Sequence, residues 1–302
     1  MQFFPNYNAG RSERPGEWAR AREAEGWHGL AASDHLITLG LAYPHLWVVL
    51  TEMACATQQI PITSSFANNL FRSPVEFAQA SLSLNRAAGG RFEAGLGAGW
   101  VEDEIRRIGW RYPAGPERAS RYIEAMQVVR ELLHSGRCRF QGEHYQIDIG
   151  APGLADLAPR PPLLVGSAGG PRTLREITPW VDRIEVKPNA PATRGGGLDL
   201  AKFGAVSEAD VRDAVARVRR VREDIPIGSF LLVGAVPATR AAALRAPFGS
   251  GFLSRFLGEP DSVAQALCDL EGLGFDRVQL TEIAPGTLER LRPLLALRSV
   301  QV

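Results

Sequence analysis

Asp34 and His35 are adjacent side chains able to move or hold a proton. They follow the apolar run Trp27 to Ala32, where a short buried strand would end. Imidazole both donates and accepts a proton near neutrality, which makes His35 a candidate catalytic or ring-contacting group. The plainer alternative is a histidine bonded to a loop carbonyl. Asp34 either orients that imidazole or caps the next segment. His28, His45, His134 and His144 fall at a strand start, a helix start, a helix end and in a hairpin, and are expected to be structural.

A second candidate is the run Gly89-Gly90-Arg91-Phe92-Glu93-Ala94-Gly95-Leu96-Gly97-Ala98-Gly99-Trp100, with five glycines in eleven residues followed by an indole. Each glycine inside a helix costs about 1 kcal/mol against alanine, so the run is no helix. It reads as a strand, Phe92 to Leu96, entering a loop whose backbone lies close to something flat or anionic, or as a bare glycine turn. It is not a dinucleotide fingerprint. Gly99 stands two places after Gly97, where G-x-G-x-x-G needs three, and position 100 is tryptophan. Trp100 is either core or the wall of a pocket for a planar ring.

Gly166-Ser167-Ala168-Gly169-Gly170-Pro171 follows a strand, Leu163 to Val165, and opens a helix. Backbone N–H groups and the helix dipole there suit an anion, phosphate being the natural guest, with the Ser167 hydroxyl in support. An ordinary tight turn is the alternative. Lys187, just past a strand end, either contacts an acidic substrate or is solvated.

The elements that must position these groups alternate. Phe3 and Phe4 suggest a first strand broken by Pro5. Helices are predicted over 14–25, 44–57, 74–88, 117–134, 208–223, 260–273 and 286–297, and further strands over 61–65, 183–186, 228–235 and 277–280. Residues 101–116 read as irregular, 139–147 as a small hairpin turning near Gly142, and 188–206 as a long loop that could serve as a lid. About eight strand–helix pairs in 302 residues predict a single α/β domain, a (β/α)8 barrel with insertions near 101–116, 136–160 and 188–206. Chemistry in such a barrel sits at the C-terminal ends of the strands, which gathers the candidates on one rim.

Composition narrows the function classes. A formal charge of +1, from 34 basic and 33 acidic residues, gives no footprint for nucleic acid or a membrane surface. Cys55, Cys138 and Cys268 have no metal-ligand or disulfide spacing and are expected as reduced thiols of a cytoplasmic protein. No signal peptide, membrane span or metal is expected.

Arg91 to Trp100, preceded by Arg72-Ser73-Pro74 and followed by Arg121-Tyr122-Ile123-Glu124-Ala125, resembles the luciferase-like monooxygenase superfamily, in particular its deazaflavin (coenzyme F-420)-dependent oxidoreductases. The likeness runs from about Trp18 to Leu297 and includes Ser33-Asp34-His35, the hairpin Phe140 to Tyr145 and Gly166 to Gly170. It implies a (β/α)8 barrel, often dimeric. Gly97, Ala98, Gly99 and Trp100 would face the ring, His35 would sit near its reacting carbon, and Gly166, Ser167, Ala168, Gly169 and Gly170 would hold the phosphate. Ser65 and Phe66 would form a bulge behind the ring, often with a cis peptide, and Asn68 would bond the ring edge. One departure is plain. The sugar-phosphate dehydrogenase branch carries a glutamate after the glycine run, where this chain has Trp100, which puts sugar-phosphate oxidation in doubt.

The expected activity is hydride transfer between coenzyme F-420 and a small activated alkene, ketone or alcohol. The alternatives are a flavin mononucleotide (FMN) monooxygenase using oxygen and a partner reductase, or a flavin- or deazaflavin-binding protein without turnover.

Overall fold

A computed structural model describes residues 1–38 and 40–299. Its frame is eight parallel strands: β1 (Gln2–Tyr7), β2 (Leu30–Ala32), β3 (Ile62–Ser64), β4 (Phe92–Gly97), β5 (Leu163–Ala168), β6 (Arg183–Val186), β7 (Ile227–Ala235) and β8 (Arg277–Glu282). Each pairs with its successor, and β8 returns to β1 with Gln2 opposite Arg277 and Phe3 opposite Val278. That closure is the expected (β/α)8 barrel and excludes an open, doubly wound sheet.

The covering helices are α1 (Pro15–Ala24), α2 (Leu46–Ala56), α3 (Pro74–Ala87), α4 (Glu102–Arg107), α5 (Gly115–Ser135), α6 (Pro171–Ile177), α7 (Ala190–Thr193), α8 (Leu200–Gly204), α9 (Glu208–Arg219), α10 (Ala238–Arg245), α11 (Pro260–Cys268) and α12 (Thr287–Ser299). Local chemistry fixes their ends. Pro15 opens α1, the Ser73 hydroxyl accepts from the Glu76 N–H at α3, and Ser207 and Asp210 form a capping box on α9. Leu, Val, Ile and Phe side chains between strands and helices form one continuous core. Within the barrel, the buried Arg277 guanidinium bonds Glu93 and Glu185 and lies over the Phe4 ring. Among the described residues no helix is long and apolar enough to cross a membrane.

Several expectations are corrected. β1 runs through Pro5, which pairs in register with Leu280. Proline forfeits one N–H donor but keeps its carbonyl, and the flanking pairs carry the strand past it. Residues 101–116 hold a helix, α4. Residues 188–206 hold two short ones, α7 and α8; the Gly196 carbonyl accepts from the Glu102 N–H and the Arg194 carbonyl from Arg118. A further helix, α10, lies between β7 and α11, where no element was expected. Gly166, Ser167 and Ala168 belong to β5 itself rather than to the loop after it. The hairpin is present as Cys138–Gln141 paired with Gln146–Ile149. The Glu124 carboxylate accepts from the N–H groups of Glu143, His144 and Tyr145 at its turn.

Candidate active site

The C-terminal ends of all eight strands open onto one cavity of about 1190 Å3. Asp34 and His35 reach it from β2, Ser65, Phe66 and Asn68 from the bulge after β3, and Gly97 to Trp100 from β4. Ser167 to Gly170 reach it from β5. Gly166 does not. A Cβ on it would meet Val181 at 2.9 Å and Ile177 at 3.0 Å, on the helical side of the strand. His28, His45, His134 and His144 lie off the cavity wall; His28 Nδ1 accepts from the Phe3 N–H.

His35 is held by a residue that the sequence reading missed. Nδ1 lies 2.9 Å from Oε2 of Glu104, which is fully buried on α4. The other carboxylate oxygen accepts from the backbone N–H groups of Leu36 (2.6 Å) and Ile37 (3.1 Å). A carboxylate only accepts, so Nδ1 carries the hydrogen and Nε2 is left to the cavity. Tyr43 and Trp100 meet the imidazole edge-on, at centroid distances of 5.1 and 6.0 Å. Burial beside Glu104 pushes the Tyr43 phenol above its ordinary pKa. The sequence signal for Glu104 lay in Glu102-Asp103-Glu104-Ile105-Arg106-Arg107. Arg106 takes Glu102 and Arg107 takes Asp103 at i,i+4, which leaves Glu104 on the inward face beside buried Ile105.

Asp34, read either as orienting His35 or as capping the next segment, bonds elsewhere. Its Oδ2 accepts from Arg72 Nη1 and from the Asn68 N–H at 2.6 Å. The buried carboxylate is a tie between β2 and the segment after β3, its charge neutralised by Arg72.

That segment explains the glycines. The Ser65–Phe66 peptide is cis. The chain then rejoins β4 with Ala67 opposite Leu96 and Asn68 opposite Gly97. A Cβ on Gly95 would stand 2.0 Å from the Ser64 carbonyl oxygen, and one on Gly99 would stand 2.3 Å from Asn68 Oδ1. What lies against Gly95, Gly97 and Gly99 is therefore the protein's own bulge, and Gly99 adopts φ +78°, while Gly89 and Gly90 form the turn before the strand at φ +63° and +88°. Asn68 Oδ1 also accepts from the Leu70 N–H, and its Nδ2 takes no part in these bonds. On the far side of β4, the buried Tyr122 hydroxyl donates to the Leu96 carbonyl (2.7 Å) and accepts from the Ser167 N–H (2.8 Å). Burial raises the Tyr122 phenol pKa, so it stays neutral. That backbone N–H, expected for a phosphate, is already taken.

Lys187 also lines the cavity, with Nζ 5.8 Å from the centre of the Phe66 ring and 5.6 Å from that of Phe230. It is not the solvated surface lysine of the simpler reading.

The wall fits a planar heterocycle on a polar chain. Ser65 Oγ, Ser167 Oγ and Asn189 Oδ1 are buried on it without hydrogen-bond partners. Such groups are costly unless a ligand satisfies them. Phe66, Trp100, Phe230 and Leu232 supply apolar surface between them, and the mixture is that of a small-molecule site. Among the described residues no cluster of His, Cys, Asp or Glu could hold a metal ion.

Residues 4–246 match the family described as luciferase-like monooxygenase. The F420-dependent glucose-6-phosphate dehydrogenase of Amycolatopsis mediterranei is 30% identical over 159 residues, 51% of this chain and 47% of that protein. The pyrimidine monooxygenase RutA of Allorhizobium ampelinum is 28% identical over 179 residues, 56% of this chain and 47% of that one. The chain thus spans about half the length of the curated relatives it matches. Among solved structures, an F420-dependent secondary alcohol dehydrogenase in complex with an F420-acetone adduct superposes with TM-score 0.73 over 98% of both chains, at 16% identity. That likeness is one of fold.

Proposed function

Because this chain belongs to the luciferase-like monooxygenase family, we propose that it is an oxidoreductase moving a hydride between coenzyme F-420 and a small organic substrate. The observation that carries the proposal is the His35 imidazole, fixed through Nδ1 by a fully buried carboxylate on the wall of a cavity with unsatisfied polar groups. When bound, the deazaflavin supplies the hydride chemistry; the protein supplies position and charge. Ser65, Ser167 and Asn189 would bond its polar atoms, Phe66 and Trp100 would flank its ring, and Gly169 and Gly170 would border its phosphate. A Cβ on Gly170 would meet only Thr173 Oγ1, at 3.7 Å, so the cavity comes up to the backbone there.

His35 gives or takes the substrate proton at Nε2, while Glu104 holds the tautomer that leaves Nε2 free of hydrogen in the neutral ring. The same wall accepts an alkene, ketone or alcohol. His35→Asn is expected to keep cofactor binding and to lower turnover by about 10²–10⁴, the usual worth of a positioned acid–base group. Unchanged turnover would remove His35 from the chemistry.

The RutA relative favours a second reading, an FMN monooxygenase fed by a reductase. Oxygen consumption with reduced FMN, and none of the hydride chemistry with F-420, would establish it instead.

A further inference from the structure

The chain has 34 lysines and arginines, and only two of them, Lys187 and Lys202, are lysine. Lys202 is exposed and pairs with Asp199 at 2.9 Å. Lys187 is half-buried at the cavity, where the chain's prevailing choice of arginine is set aside. Arginine cannot lose its proton in a protein, and lysine can. The position is built rather than incidental. The Lys187 N–H bonds the Ala168 carbonyl, and a Cβ on Gly169 would stand 2.3 Å from the Lys187 carbonyl oxygen, so glycine there admits the lysine backbone.

Lys187 Nζ has no carboxylate or hydrogen-bond partner among the described residues, and the Phe66 and Phe230 rings face it. The other charged groups on the cavity wall are committed or at its rim. Asp34 is held by Arg72, and Glu282 accepts from Arg11 and from the Leu288 N–H. His35 is held by Glu104, Arg118 bonds the Pro113 and Arg194 carbonyls, and Arg172 pairs with Glu176. Arg194 is exposed. The phenol of Tyr43 completes the ionisable set, raised by burial beside Glu104. Burial without a counter-ion draws the Lys187 ammonium down to about 8.

A half-buried cation lacking its partner is costly, and an anion brought by the ligand relieves that cost. One inner-wall cation balances a monoanion, whereas a phosphate dianion would carry excess charge. We infer that Lys187 selects a substrate bearing a carboxylate, so that the ketone, alcohol or alkene reduced or oxidised at this site is a small oxo, hydroxy or unsaturated acid. The inference rests on the hydride-transfer reading for the reaction, but not for the binding of the acid.

Two lysines give two resonances in protein labelled with carbon-13 at lysine Cε, with Lys202 as internal reference. Pyruvate, acetone and inorganic phosphate are titrated against the protein alone and against protein saturated with F-420 or FMN. Pyruvate is expected to move the Lys187 resonance and raise its titration midpoint, and acetone to leave both alone. Pyruvate affinity should fall about tenfold per pH unit above the midpoint, since only the ammonium binds. Lys187→Met should weaken pyruvate by about ten- to a hundredfold, the worth of one charged hydrogen bond. Lys187→Arg should retain pyruvate over acetone and lose the pH dependence, which a merely structural role would not produce.

A Lys187 resonance that ignores pyruvate in both forms overturns the inference. So does a preference for phosphate, or a response to cofactor alone that then blocks pyruvate, since the anion would then be the cofactor's. If neither cofactor binds but pyruvate still moves Lys187, the carboxylate assignment stands and the hydride-transfer reading fails.

Discussion

Glu104→Gln isolates the device that holds His35. The native carboxylate accepts three N–H groups, from Leu36 at 2.6 Å, Ile37 at 3.1 Å and His35 Nδ1 at 2.9 Å. An amide is isosteric but brings one oxygen and one NH2. If the oxygen stays with the two backbone donors, the NH2 faces Nδ1, which must then become an acceptor, and His35 switches to its Nε2–H form. If the amide turns round, His35 keeps its tautomer and two backbone N–H groups face a donor. The first arrangement leaves fewer groups unsatisfied and should prevail. All three hydrogen bonds survive in it but become neutral, and the gap between charged bonds (about 1.5–3 kcal/mol) and neutral ones (about 0.5–1.5 kcal/mol) makes the loss about 1–3 kcal/mol in all. Stability in urea should fall by about that amount. The proton step, which now meets Nε2 already carrying its hydrogen and no carboxylate to support an imidazolium, should slow by about a hundredfold. Nitrogen-15 shifts of the labelled imidazole read the tautomer without any substrate. A variant whose His35 keeps its hydrogen on Nδ1, with kcat/KM undiminished, would refute the reasoning.

Two further substitutions probe the wall. Tyr122→Phe removes the hydroxyl that joins the Leu96 carbonyl to the Ser167 N–H, leaving two buried backbone groups unpaired; urea unfolding should show a loss of about 2–4 kcal/mol, and an unaltered midpoint would mean that water replaces the hydroxyl. Lys187→Met should stabilise the protein at pH 7. The folded-state pKa of about 8 lies below the ordinary 10.5, so below pH 8 the folded state bears the full cost of the cation. Between those values the unfolded chain holds more protons, so native stability rises with pH and the variant's advantage fades. That advantage is at most about 3 kcal/mol, at 1.36 kcal/mol per pH unit, lowered by water in the cavity. Thermal unfolding at pH 7 and pH 10 checks it, and an advantage that grows with pH would reverse the argument.

The barrel was legible because it rests on local signals. Pro15 and Pro74 open helices, Gly26 and Gly274 stand past the ends of two, and short apolar runs recur between. Asp34 and His35 were found at the right rim because a residue just past a barrel strand has nowhere else to go. Their partners were not legible. Glu104 lies 69 residues from His35 in sequence, inside a stretch so polar that it reads as solvated, and only the closed barrel brings the Leu36 and Ile37 N–H groups to it. Asp34 is claimed by Arg72, 38 residues on, rather than by the histidine beside it. The glycines of β4 signalled a close approach correctly, but the approaching group is the chain's own Ser64–Asn68 bulge. Lys187 stayed divided between a substrate contact and a solvated lysine because nothing in its sequence neighbours announces Phe66 and Phe230.

A paired titration of the purified protein with coenzyme F-420 and with FMN, read by fluorescence quenching, bears on all of this at once. Saturable binding of F-420 in preference to FMN, weakened by replacing Ser167 or Asn189 and kept in His35→Asn, is the predicted result. Binding of neither would contradict it, and would leave the cavity's unsatisfied hydroxyls and amide to some other ligand.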